Sequence, residues 1–204
     1  MKLVAVSAGL STPSSTRLLA DRLTDAVRNE LADQGHTAQV DVIELRALAV
    51  AIANNLVTGF PPPQLAGAIE AVTSADGLVT VTPVFSASYS GLFKSFFDLI
   101  DPGALTGKPV LIGATGGTPR HSLVLDHALR PLFVYLRTVA LPTGVYAASE
   151  DWGSGSDAHT EGLPARIRRA GQEMASILAA RATHPEPEDD LTLSKRQLSD
   201  LRFD

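Results

Sequence analysis

The run Leu3-Val4-Ala5-Val6-Ser7-Ala8-Gly9-Leu10-Ser11-Thr12-Pro13-Ser14-Ser15-Thr16 passes from strand-forming apolar residues into a small, hydroxyl-rich loop, and helical periodicity starts at Leu18. A strand, a tight loop of small residues and a helix together present backbone N–H groups and hydroxyls to an anion such as phosphate. The run lacks the Gly-Lys-Ser/Thr ending of a Walker loop, and it lacks the second and third glycines of the dinucleotide fingerprint. A plain strand-to-helix turn capped by Ser14 or Ser15 has the same composition, so these residues alone leave both readings open.

Outward from this run, strand-like and helix-like segments alternate, which predicts an α/β class with a parallel sheet wrapped by helices. Leu18, Leu19, Leu23, Val27 and Leu31 repeat at helical spacing, and Gln34-Gly35 ends that helix. A second strand is expected from about 38 to 43, then a short helix and an irregular loop over 45–62, where Asn54, Asn55 and Gly59 precede three prolines. A helix over 63–74 leads into a third strand, 78–82; a fourth covers 109–114, a fifth 141–147, and a last helix 160–181. Five such strands suit the flavodoxin-like order 2-1-3-4-5, a three-layer α/β/α sandwich whose ligand crevice lies at the carboxyl ends of the strands. Three polar loops, 7–16, 83–90 and 115–121, converge on that edge.

The length of 204 residues suits one domain, read as 1–182 with an acidic and polar tail over 183–204. In the tail, His184 to Asp190 holds two prolines and four acids. It reads as a solvated segment, or as an arm over a neighbouring subunit with Leu191, Leu193, Leu198, Leu201 and Phe203 as contacts. The chain has no cysteine, which excludes disulfides, thiolate metal sites and thiol catalysis, so redox chemistry would belong to a bound cofactor. A formal charge of −5 gives no footprint for nucleic acid. No apolar run approaches the roughly 20 residues of a membrane span, and the start of the chain reads as no leader; a cytoplasmic location is expected.

The second informative loop is Pro83-Val84-Phe85-Ser86-Ala87-Ser88-Tyr89-Ser90. A proline past a buried strand fixes the chain's direction, and backbone polar groups beside two aromatic rings suit a flat heterocycle; the alternative is that Phe85 and Tyr89 pack the next helix. Phe93, Phe96 and Phe97 have the helical spacing of core or subunit-interface residues rather than ligand contacts. The third loop is Thr115-Gly116-Gly117-Thr118-Pro119-Arg120-His121. Its glycines allow backbone to approach a ring closely, and Thr115 and Thr118 add hydroxyls for a polar ring edge; a glycine-rich connection with an N-cap is the alternative.

Taken together, the loops resemble the NAD(P)H-dependent FMN reductases of the flavodoxin-like superfamily, particularly those that supply reduced flavin to alkanesulfonate monooxygenases. The resemblance spans roughly 1–147 and rests on Thr82-Pro83-Val84, Tyr89-Ser90-Gly91, Lys94, Asp98, Ala114-Thr115-Gly116-Gly117-Thr118, His121, Asp126, Ala128-Leu129 and Pro131. It implies that Ser14, Ser15 and Thr16, with the backbone around Gly9 and Ser11, hold the FMN phosphate. It further implies that Pro83, Val84, Phe85 and Ser86 line one side of the isoalloxazine, and Thr115, Gly116, Gly117 and Thr118, with His121 in the same matching run, the other.

The chain departs from this pattern in places. Many relatives open the first loop with Gly-Ser-x-Arg where this chain has Gly9-Leu10-Ser11, leaving Arg17 as the candidate cation. Phe85 and Ser86 stand where Tyr and Lys are frequent, which removes a hydroxyl and a cation from the flavin's surroundings. His127 stands where sulfonate-system reductases carry an extra Tyr in a π-bulge, and Pro131 offers no N–H to the His127 carbonyl, which motivates a kink or bulge.

The expected activity is hydride transfer from a nicotinamide to FMN, with reduced FMN passed to a partner monooxygenase or another acceptor. The protein supplies orientation and no catalytic acid, base or nucleophile. A homodimer or homotetramer is expected, with the phenylalanine-bearing helix and the helix from His127 to Tyr135 at the subunit boundary. The alternatives are an FMN-retaining reductase of quinones, azo dyes or metal oxyanions, and a non-catalytic FMN carrier. Against the carrier, these loops hold Lys94, Arg120 and His121 and few acids.

Overall fold

The computed structural model describes residues 1–153 and 162–183. Strand β1 (Lys2–Ser7) leads to helix α1 (Ser15–Asp33), β2 (Gln39–Glu44), α2 (Ala49–Thr58), α3 (Pro63–Ser74), β3 (Gly77–Phe85), β4 (Ser88–Tyr89) and α4 (Gly91–Phe97). Strand β5 (Pro109–Gly116), α5 (Arg130–Tyr135), β6 (Val139–Ala140), β7 (Val145–Ala148) and α6 (Leu163–Thr183) follow. The parallel sheet runs β2-β1-β3-β5, with β6 and β7 both on the outer side of β5. The expected order 2-1-3-4-5 therefore stands, but the sheet has seven strands rather than five.

Two causes account for the extra strands. The fifth position is split: β6 pairs with Pro109 and Val110, β7 with Gly113 to Gly116. Leu141 still donates to the Val110 carbonyl at 2.9 Å, but Pro142 has no N–H to continue the ladder. Thr143 turns away, its N–H and hydroxyl bound by the Glu173 carboxylate at 3.0 and 2.5 Å. Further along the chain, β3 does not stop at Thr82. It runs through Pro83 to Phe85 and folds back antiparallel as β4, so the expected loop over 83–90 is a hairpin.

Side chains alternate between the two faces of the sheet, and both faces are apolar, as a doubly covered parallel sheet requires. Leu3, Ala5, Val79, Val81 and Leu111 pack under α1 and α6, while Val4, Val6, Leu78, Val110 and Ile112 pack under α2 to α5. Ser14 caps α1, its hydroxyl accepting from Arg17 N–H, and Gly35 follows the helix at φ 78°. Helices α1 and α6 approach so closely that a Cβ on Gly171 would lie 2.8 Å from that of Ala26.

Two further expectations are corrected. Phe93, Phe96 and Phe97 are at most 1% exposed and form one aromatic cluster with Phe133, with the Phe97 and Phe133 rings 5.1 Å apart. Their side chains belong to the interior, the core alternative of the two that their spacing left open. The segment after β2 holds a 3-10 turn, Leu45–Leu48, and the ten-residue α2, whose Val50, Leu56 and Val57 are exposed. The tail residues Leu191, Leu193, Leu198, Leu201 and Phe203 lie outside the described residues. The motivated bulge is present: Leu125–Leu129 forms a π-helical turn, closed by Arg130 N–H donating to the Leu125 carbonyl. Among the described residues no helix is long and apolar enough to cross a membrane.

Candidate functional site

The carboxyl ends of β1, β3, β5 and β7 surround a cavity of about 430 Å³. On one wall the first loop folds back over the start of α1, which requires Gly9: a Cβ there would collide with the Ser14 hydroxyl. Three neighbouring hydroxyls then do three different things. That of Ser14 caps the helix, accepting from Arg17 N–H at 3.2 Å. Ser15 is exposed and lines the cavity. Thr16 is buried, and its hydroxyl meets that of Thr115 at 2.8 Å, tying the first loop to the third.

The first turn of α1 carries no acid, so its N–H groups and the positive end of the helix dipole face the cavity beside Ser15 without a competing carboxylate on that turn. Arg17, the candidate cation of the first loop, pairs with Glu44 at 3.2 Å and Asp21 at 2.8 Å. Arg46 shares Glu44 at 3.4 Å and donates to the Ser11 carbonyl at 3.2 Å and to the Thr12 hydroxyl. Arg46 therefore braces the loop from behind, and Arg17 shares its Glu44 partner.

Pro83, Val84 and the half-exposed Phe85 make the second wall. The Thr82 hydroxyl accepts from Ser90 N–H at 3.0 Å, and Ser90 caps α4 by accepting from Phe93 N–H at 3.2 Å, which anchors the hairpin at its base. At its tip Ser86 and Ala87 have φ of 46° and 66°, the left-handed region that a two-residue hairpin turn demands.

The third wall is Thr115, Gly116 and Gly117. The two glycines are there for different reasons. Space beside Gly116 is filled by the Tyr146 phenol, whereas a Cβ on Gly117 would meet nothing within 4 Å. Thr118 caps the turn Pro119–His121, accepting from Arg120 N–H.

The fourth wall, Ser149 and Trp152, is absent from the sequence reading. The turn Ser149–Trp152 directly follows β7, with Asp151 accepting from Ala148 N–H at 2.7 Å and from Arg166 at 2.6 Å. The Arg22 guanidinium lies 5.0 Å from the centre of the Trp152 ring. The chain's one tryptophan, just past a strand of the converging edge, was the available signal.

Of the expected site residues, the cavity gathers Ser11, Ser15, Thr16, Pro83, Val84, Phe85, Thr115, Gly116 and Gly117, and adds Leu10, Ser149 and Trp152. Gly9, Ser14, Ser86, Thr118 and His121 stand outside its lining; the first four shape the loops, and His121 is exposed beyond them. A flat ring with an anionic tail fits this arrangement: apolar walls and glycine backbone at one end, an acid-free helix N-terminus with a hydroxyl at the other. A second cavity, about 630 Å³, lies between the hairpin, α4 and the π-turn, with Tyr89, Lys94, Asp98, His127 and Tyr135 among its walls.

The family model described as NADPH-dependent FMN reductase matches residues 1–153. An FMN reductase (NADPH) of Pseudomonas aeruginosa is 42% identical over 183 residues, covering 89% of this chain and 94% of that protein. The NADH-dependent FMN reductase SfnF of Pseudomonas fluorescens is 40% identical over 187 residues, 92% of this chain and 95% of that protein. Among solved structures, an oxidoreductase from Corynebacterium diphtheriae superposes with a TM-score of 0.83 at 47% identity, over 88% of this chain and 97% of that one. With a matching model that reaches from β1 past Trp152, and relatives aligned along most of their own length, this chain belongs to the NADPH-dependent FMN reductase family.

Proposed function

We propose that the chain is an NAD(P)H:FMN oxidoreductase that binds FMN in the 430 Å³ cavity and releases it reduced to a flavin-dependent monooxygenase or another acceptor. The observation that carries this is the convergence of an acid-free helix N-terminus, an apolar hairpin and a diglycine loop on one cavity, in a chain of the FMN reductase family. FMN, when bound, supplies the hydride-accepting chemistry. Ser15 and the first N–H groups of α1 hold its phosphate; Pro83, Val84 and Phe85 cover one face of the ring; and Thr115 to Gly117 meet its polar edge. No side chain is required as acid or base.

Among the described residues no guanidinium lines the cavity, which supports FMN as an exchangeable substrate rather than a retained group. Arg17 and Arg46 are both committed to Glu44, and a hydroxyl and backbone dipoles grip a dianion less tightly than a bidentate arginine does. A cytoplasmic location accords with a reaction that draws on the cell's nicotinamide pool. Consumption of NADH and NADPH, each with and without added FMN, tests the reading. Turnover that rises with added FMN is expected, and nicotinamide oxidation indifferent to FMN overturns it.

A further inference from the structure

We propose that Tyr146 is a positioning residue for the flavin-facing loop Thr115–Thr118, and that it determines FMN affinity without touching the flavin. This rests on the reading of the cavity given above. Tyr146 sits on β7 opposite Ala114 and is 4% exposed. Its hydroxyl donates to the Thr118 carbonyl at 2.7 Å. Its ring occupies the place of a side chain at Gly116: a Cβ there would collide with the phenol oxygen and lie 3.2 Å from Cζ.

Both ends of the loop are thereby fixed. Thr115 is held by the Thr16 hydroxyl at 2.8 Å and by its register with Pro83, and Thr118 by Tyr146. Gly116 is still in register with Ala148 of β7, which leaves Gly117 to span the gap, so the direction in which this backbone faces the cavity follows from where β7 and its phenol stand. The phenol in turn is anchored away from the loop. The Tyr146 carbonyl accepts from Arg166 of α6, whose guanidinium also pairs with Asp151 at the start of the fourth wall. Burial, with the Asp151 carboxylate nearby, raises the Tyr146 pKa above its ordinary value, so the hydroxyl remains a donor throughout the neutral range.

A double-mutant cycle on Gly116 and Tyr146, read by quenching of FMN fluorescence, tests the proposal. Tyr146→Phe keeps the ring and removes one neutral hydrogen bond. The FMN dissociation constant should rise about two- to tenfold, with the nicotinamide KM at saturating FMN unchanged. Gly116→Ala should lose more, because its methyl group meets the phenol oxygen. In the double variant the oxygen is gone and the nearest remaining ring atom is at 3.2 Å, a contact that a shift of a few tenths of an ångström relieves, so affinity should rise from that of Gly116→Ala toward that of Tyr146→Phe; such non-additivity marks direct coupling. Wild-type affinity in either single variant overturns the proposal, as does a folded double variant no better than Gly116→Ala. Where Gly116→Ala fails to fold, Tyr146→Phe alone decides. Wild-type protein that gives no quenching overturns the reading of the cavity itself, a result distinct from a failed cycle.

Discussion

Thr16 and Thr115 join hydroxyls across 99 residues of chain, at the point where the first and third walls meet. Valine in place of Thr16 keeps the shape but leaves the buried Thr115 hydroxyl without this partner. The loss of stability should be about 1–3 kcal/mol, the cost of one unsatisfied buried group, measured as a shift in the urea midpoint. Ser15→Ala should do the reverse. The exposed hydroxyl carries little stability, within about 0.5 kcal/mol, while FMN affinity falls by about 1.5–3 kcal/mol, the range for a hydrogen bond to a charged group. Equal FMN affinity in wild type and Ser15→Ala would place the phosphate elsewhere. That hydroxyls mattered here was legible from sequence. Which one did what was not, since successive helical residues point about 100° apart and only the folded neighbours tell a cap, a cavity wall and a buried pair from one another. Gly116 and Gly117 repeat the lesson: the same residue twice, one making room for a tyrosine and the other opening on the cavity.

At the next scale, the hairpin of β3 and β4 shows why one element escaped notice. Its turn is Ser86-Ala87 rather than Asn-Gly, and neither residue favours the left-handed region that both occupy. The strain costs about 1–2 kcal/mol per residue, and glycine at position 87 relieves it. Ala87→Gly should therefore raise the urea midpoint while loosening the wall that carries Phe85, and FMN affinity should fall. A variant both more stable and equally tight would show that the strain serves no binding role. The π-turn, by contrast, was legible. Pro131 cannot donate to the His127 carbonyl, and the chain answers by passing the Arg130 N–H to Leu125, five residues back. The split of the fifth strand had its signal in Pro142-Thr143-Gly144, which breaks the apolar run between Leu141 and Val145.

Across the whole molecule, alternating strand and helix signals gave the layer order, since a strand buried on both faces and an amphipathic helix leave different periodicities. The clustered phenylalanines pointed to a boundary, but they close the core between α4 and α5. The exposed apolar residues of this region are Leu123 at 60%, Val134 at 61% and Tyr135 at 73%, on and before α5 and close to the 630 Å³ cavity. A homo-oligomer built on this face is the expectation. Light scattering through a dilution series should show dissociation, and Tyr135→Glu should shift it to higher protein concentration; a monomer at every concentration would sink the idea. The four walls of the 430 Å³ cavity proposed for FMN come from stretches spread between Leu10 and Trp152, so a ligand touching all of them has no counterpart in the unfolded chain. By mass action, free flavin at a hundred times its dissociation constant adds about 2.7 kcal/mol to folding. Generosity and self-preservation are thereby opposed: the more readily the protein parts with its flavin, the smaller that subsidy becomes, and the more the fold must stand on its own interior.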